Sequence, residues 1–335
     1  MEDFDKTKNF FPFEDDHAGL ECINTEIMTN DKKKEIIKKL KNGEVYAYYN
    51  FKNDNIDDEF YKALKENFSK YTNLSELFLR TIENINVDKI GETFINSFSN
   101  IQILDLSKNA FHITNIDNLC IGLKENNTLA YLNLSDNGIE DINILCEYLY
   151  DNTSLITLNL SNNEIQNIDS FEKVFYHNHT LKELDLSDNY FINGDKASGI
   201  VNFCKGLSQN KGLCDLYMYN VGLNDITPLF NNLQDNNTLS VLNLMNNNIS
   251  NVDCLDEFFK KNKSLSILNL KGNNISNIKN MCEGLKNNQI LTNLYINDNP
   301  IKKDERNPEN NPLNILADVL EHNIIVSIDF VEKNN

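Results

Sequence analysis

The sequence predicts an α/β solenoid of about 10–12 stacked units, each a short strand, a turn, a short helix and a turn. Three observations carry this. An apolar L-x-x-L-x-L core recurs at a near-constant interval along the chain. An asparagine stands three places after the last apolar residue of most cores. A pair of apolar residues at i, i+4 precedes each new core, which is the spacing of one helix face. A single unit of this kind cannot bury its own apolar side, whereas stacked units share a continuous core.

The cores begin at Tyr46, Leu74, Ile101, Leu129, Leu155, Leu181, Leu213, Leu239, Leu265, Leu291 and Ile325. Successive starts are 28, 27, 28, 26, 26, 32, 26, 26, 26 and 34 residues apart, and a weaker copy begins at Leu20 with Ile23. Each core alternates apolar and polar residues and reads as a short strand. The asparagines that follow, at 109, 137, 163, 189, 247, 273 and 299, are expected inside the bend, satisfying backbone groups that the turn withdraws from water. Helices are predicted from pairs such as Leu119/Leu123, Leu145/Leu149, Phe171/Phe175 and Met281/Leu285. A second column, Asn126, Asn152, Asn178, Asn210, Asn236, Asn262 and Asn288, is expected to end those helices in the left-handed conformation. The unit "LCDLYMYNVGL" departs from the pattern. Its asparagine stands one place early, at Asn220, which leaves Val221 to fill the turn.

Three segments divide the chain. Residues 1–17, acidic with Phe4, Phe10, Phe11 and Phe13, read as a disordered tail. Residues 18–45 read as an N-terminal cap, its helix starting near Asp31 with Ile36, Ile37 and Leu40 toward the first strand. Residues 46–335 form the solenoid and end in a capping helix, "PLNILADVLEHN", and the strand "IVSIDF". Insertions at 189–204 and 299–312 add six and about eight residues to the common length and are marked as loops by Gly194, Gly199, Pro308 and Pro312.

The motif L-x-x-L-x-L-x-x-N-x-I resembles the leucine-rich repeat superfamily over residues 46–335. "NEIQNIDSF" is similar to the repeats of the type-1 phosphatase regulatory subunit, and the longer helix in "EKVFYHNHTL" is similar to the ribonuclease-inhibitor group. That group includes Ran GTPase activators, tropomodulin and the sensor arms of nucleotide-binding immune receptors. The resemblance implies a horseshoe-shaped solenoid with a parallel β-sheet on its concave side and short helices on its convex side, which binds another protein on its inner face.

Composition narrows the function further. A formal charge of −19 opposes nucleic-acid and anionic-membrane surfaces. No run of about 18 apolar residues is present, and the acidic start is unlike a signal peptide. Seven dispersed cysteines without C-x-x-C read as reduced thiols of an intracellular, cytoplasmic protein, and the chain is expected to be a monomer. Cys120, Cys146, Cys204 and Cys282 share one helix position and read as small core residues. His177 and His179 lack partners at metal spacing. With no nucleotide loop and no Ser/His/Asp or Cys/His arrangement, no catalytic residue, cofactor or metal site is expected.

The inner face is where the repeats differ. Residues just before, between and after the last two apolar positions of each core are expected to face solvent. In the middle units these are small and polar, as in Thr157, Asn159 and Ser161. Later units bring Tyr217, Tyr219, Val241, Met245, Ile267 and Tyr295 into one apolar patch, and an early unit offers a smaller one at Tyr48, Phe78 and Arg80. These residues are the predicted protein-binding surface of a non-enzymatic scaffold. The alternative is a regulator of a catalytic partner, a GTPase activator of the Ran type or a phosphatase subunit, in which Arg80 would act in trans.

Overall fold

The computed structural model describes residues 23–24, 34–35, 38, 49–50, 57–68, 76–82, 85–94, 101–109, 115–124, 126–191, 198–301, 311–322 and 327–329. Two short strands come first, β1 (Ile23–Asn24) and β2 (Tyr49–Asn50), and they pair in parallel. Ile23, the second apolar residue of the weak copy at Leu20, lies on β1, and β1 and β2 form a two-stranded sheet of their own. Strand and helix then alternate: α1 (Asp58–Phe68), β3 (Glu76–Phe78), α2 (Val87–Phe94), β4 (Ile103–Asp105), α3 (Asp117–Leu123), β5 (Tyr131–Asn133) and α4 (Asn143–Asp151). The alternation continues through β6 (Thr157–Asn159), α5 (Phe171–His177), β7 (Glu183–Asp185), α6 (Ser198–Gln209), β8 (Asp215–Tyr217), α7 (Thr227–Leu233) and β9 (Val241–Asn243). It closes with α8 (Leu255–Lys261), β10 (Ile267–Asn269), α9 (Lys279–Leu285), β11 (Asn293–Tyr295), α10 (Pro312–His322) and β12 (Ser327–Asp329).

Strands β3 to β12 form one parallel sheet in chain order. Register follows the repeat without slippage, so that Leu132, Leu158, Leu184, Leu216, Leu242, Leu268 and Leu294 stand side by side. These leucines, the helix residues Leu119, Leu145 and Phe171, and the aliphatic residues Ile116, Ile142 and Ile168 are all buried in one core. Phenylalanines widen that core in two places, Phe171, Phe175 and Phe203 in one and Phe230, Phe258 and Phe259 in the other. The tail at 1–17, the cap residues Ile36, Ile37 and Leu40, and the loops 192–197 and 302–310 lie outside the described residues.

Asparagine side chains tie each unit to the next. Asn163 accepts the N–H groups of Asn137 and Ile139 at 3.1 and 3.0 Å and donates to the carbonyls of Leu134 and Leu160 at 3.0 and 2.9 Å. Asn137, Asn247 and Asn273 repeat the pattern. The residue before each ladder position has a positive φ, including Lys108, Asp136, Asn162, Asn220 and Asn246. In "LCDLYMYNVGL" Val221 does fill the turn, as expected, but the idea of an asparagine moved one place early is corrected. Asn220 is not a displaced ladder residue, since it occupies the left-handed place its counterparts share. Val221 is buried at the ladder place itself, and the amide ladder is interrupted there.

The second asparagine column is also corrected. Asn152, Asn178 and Asn262 close their helices in extended conformation, at φ −74°, −83° and −64°, rather than left-handed. Their side chains form turns instead. The Oδ1 of Asn178 accepts the N–H groups of Thr180 and Leu181, and its Nδ2 donates to Leu149 and Asn152 of the preceding unit. Asparagine suits this place because one amide is both donor and acceptor, not because of its backbone tolerance.

The helices are unevenly spaced. A Cβ on Gly122 would meet the carbonyl oxygen of Gly91 at 2.3 Å, and one on Gly206 would meet that of Glu172 at 2.6 Å. Glycine thus lets α3 approach α2 and α6 approach α5. Tyr148 holds the equivalent place in α4, and an open groove runs along that helix, with Tyr150 and Lys173 among its walls.

Candidate functional site

Three rows of side chains line the concave face, one before, one within and one after each strand's last two leucine positions. The middle row is structural. Asp105, Asn133, Asn159, Asp185, Asn243 and Asn269 are all buried. Each turns Oδ1 to the N–H two residues on, at Ser107, Ser135, Ser161, Ser187, Met245 and Lys271, over 2.8–3.0 Å. These are local turns that bend the chain out of the strand. Row β8 breaks the pattern, because Tyr217 replaces the Asx residue and the N–H of Tyr219 donates instead to Ser187 Oγ at 3.2 Å.

The predicted apolar patch is only partly open. Tyr217 and Met245 are buried, at 4% and 5% exposure, whereas Tyr219, Val241, Ile267 and Tyr295 are half-buried. The cause is geometric: strands about 4.8 Å apart leave long side chains in contact with those of the next strand. Val241 and Ile267 are in-register neighbours, so the accessible part of the patch is continuous across β9 and β10. In the smaller patch Phe78 is buried at 1%, again contrary to expectation, and Tyr48 lies outside the described residues. Arg80 is engaged. Its Nε donates to Asp105 at 2.8 Å, its Nη2 also contacts that carboxylate, and its guanidinium lies 5.3 Å from the Phe78 ring centre.

Beside Tyr217 the sheet gathers carboxylates that composition alone did not single out. Glu183 and Asp215 are in-register neighbours on β7 and β8, as are Asp185 and Tyr217. Burial, and then the Asp215 charge, push the Glu183 carboxyl up to about 7 against a small opposing effect from the Thr157 hydroxyl. Burial lifts Asp185 to about 6, although hydrogen bonds from Ser187 hold it down, and burial also raises Asp215. The Tyr217 and Tyr219 phenols are both pushed up, by burial first and then by these acids. Tyr219 hydrogen-bonds Asp188. Reading the rows across neighbouring units, rather than unit by unit, would have shown this acidic step next to the apolar one.

Among the described residues no group of His, Cys, Asp and Glu is arranged to hold a metal ion, and no helix is long and apolar enough to cross a membrane. His177 lies against Tyr150, ring centres 4.1 Å apart. Cys120, Cys146, Cys204 and Cys282 are buried free thiols, and desolvation lifts Cys120, Cys204 and Cys282 to about 12.

The comparisons with known proteins bear on the repeat. A family model described as Leucine Rich repeat matches residues 125–142, 151–168 and 177–195. No curated protein matches the chain in sequence. Among solved structures the chain is similar to the internalin inlF of Listeria monocytogenes str. 4b F2365, at 20% identity and TM-score 0.51, over 81% of this chain and 70% of that one. It is also similar to internalin C2 of the same strain, at 18% identity and TM-score 0.44, over 72% and 84%. At 20% identity the likeness to internalin inlF speaks for the fold alone.

Proposed function

We propose that this chain, a leucine-rich repeat protein, is a non-enzymatic scaffold that grips a protein partner on the concave face of its later units. The observation that carries this is the in-register pair Val241 and Ile267, with Tyr219 just after β8 and Tyr295 on β11, half-buried apolar side chains on one face where earlier units present Thr157 and Ser161. A surface that exposes part of its apolar area beside polar neighbours suits a partner that completes the burial. The described cysteines are free thiols, which supports a cytoplasmic setting. Regulation of a GTPase through Arg80 gains no support, because that guanidinium already closes on Asp105 inside its own sheet.

Affinity capture from the native cell tests the reading, with the parent chain compared against Ile267→Asp and Tyr219→Ser. Tyr217 and Met245 are unsuitable probes, since their burial would confuse lost binding with lost folding. Loss of the same captured protein with both variants, at unchanged circular dichroism, is the expected result. Undiminished capture by both would end the proposal.

A further inference from the structure

Asn126, Asn133, Asn159, Asn178, Asn236 and Asn262 each begin an N-x-S/T triplet, the acceptor signal for N-linked glycans, and all six are buried. A working acceptor belongs on an exposed loop. Here the triplet has a structural cause. The turn between units needs an amide whose Oδ1 takes the N–H groups two and three residues on, as in Asn126, Asn236 and Asn262 at 2.7–3.0 Å. It also uses a hydroxyl two places later, since Thr128, Thr238 and Ser264 donate to the carbonyls of Ile101, Asn210 and Asn236 in the preceding unit. Asparagine and a hydroxyl residue at that spacing are what the stacking of units requires, and the acceptor triplet is the by-product.

Glycan transfer joins a sugar carbon to Nδ2 in place of one hydrogen, with a lipid pyrophosphate as leaving group. It acts on the chain as it enters the secretory lumen, before folding. Asn178, Asn236 and Asn262 have no hydrogen to spare. In each, Nδ2 donates to two carbonyls of the preceding unit, at 2.7–3.2 Å. A glycan there would leave a buried carbonyl unpaired and a bulky polar sugar inside the stack. Asn248 and Asn274 begin the same triplet but are exposed, and they could carry a glycan without opening the array.

We propose that N-glycosylation and this fold exclude each other, so that the native chain folds on the cytosolic side and never passes as a nascent chain through a glycosylating lumen. The partner class then follows, resting on the concave-face reading above: a protein, or the part of one, that the cytosol or nucleus presents.

The full chain is expressed in cultured mammalian cells twice, once in the cytosol and once behind a cleavable signal sequence. Glycans are mapped by peptide N-glycosidase in heavy-oxygen water with mass spectrometry, and folding is read as resistance to protease. The lumenal chain is expected to carry glycans on buried triplets and to be cut roughly tenfold faster than the cytosolic chain. Tunicamycin, which blocks glycan synthesis, should restore its resistance. A protease-resistant lumenal chain, glycosylated or not, would overturn the proposal. So would a lumenal chain that stays sensitive under tunicamycin, since the glycan would not then be the cause. Chain purified from its native cell should be unmodified at Asn248 and Asn274, and a glycan on either would overturn the compartment assignment. The concave-face reading stands or falls separately, by capture with Ile267→Asp, whatever the glycan map shows.

Discussion

Replacing Asn163 by alanine removes one rung of the ladder and leaves the core leucines in place. The residue is nearly buried, and its Oδ1 is the acceptor for the N–H groups of Asn137 and Ile139. The carbonyls it serves are less dependent on it, because Leu134 also receives the Asn137 amide and Leu160 also receives that of Asn189. The cost therefore falls on two buried N–H groups. At roughly 1–3 kcal/mol for each unsatisfied group, the loss is about 2–4 kcal/mol, the upper end being reduced by water entering the space left. Urea unfolding followed by circular dichroism reads this directly. With a slope near 3 kcal/mol/M, the midpoint should fall by roughly 1 M. Val221→Ala provides the scale, since that position holds a ladder place without making ladder bonds through its side chain. Its loss is about 1.5–2 kcal/mol, from two methyl groups and the space they leave. An Asn163→Ala loss below that of Val221→Ala would refute the idea that the amide, and not its volume, holds the bend.

Two further outcomes follow from the same structure. Val221→Asn puts an amide at a fully buried apolar position, which ordinarily costs several kcal/mol. Here the carbonyls of Leu186 and Met218 each receive a single ladder amide, so the change should stay within about 1 kcal/mol by urea unfolding, and a loss above about 3 kcal/mol would show that the ladder cannot pass through this unit. Stability should also depend on pH through the acidic cluster. Glu183 and Asp185 titrate near 7 and 6 in the native chain, above their ordinary values of 4.5 and 3.8, so the native state binds more protons than the unfolded chain in between. Their contribution is full below about 4 and is lost as pH rises through about 7. Glu183→Gln should flatten that slope and exceed the parent in stability at pH 8, and a variant weaker than its parent there would contradict the assignment.

The strands, their order and their register were legible because a fixed period ties each leucine to one face of one strand. The ladder asparagines were legible for the same reason, and the turn after each strand follows from them. What the period does not carry is accessible area. Tyr217, Met245 and Phe78 point to the concave side as their place in the motif requires, yet neighbouring strands lie close enough to cover them. Nor does the period distinguish the uses of one side chain. Asn178 stands at a helix end, but it serves as a turn-forming amide between units and not as a left-handed cap. The fate of Arg80 depended on Asp105, 25 residues away and one strand over, so no local reading of either residue could pair them. Helix spacing was hidden because it depends on which units carry glycine at one helix position, as at Gly122 and Gly206, and which carry Tyr148.

Hydroxyl-radical footprinting of the chain with its captured partner tests the concave-face assignment most directly, since tyrosines report on both sides of the solenoid. Tyr219 and Tyr295 line the inner face, whereas Tyr150 and Tyr176 are exposed on the helices. Binding should lower the labelling of Tyr219 and Tyr295 severalfold and leave Tyr150 and Tyr176 unchanged. Protection of Tyr150 and Tyr176, with Tyr219 and Tyr295 labelled as in the free chain, would place the partner on the convex side and contradict the account.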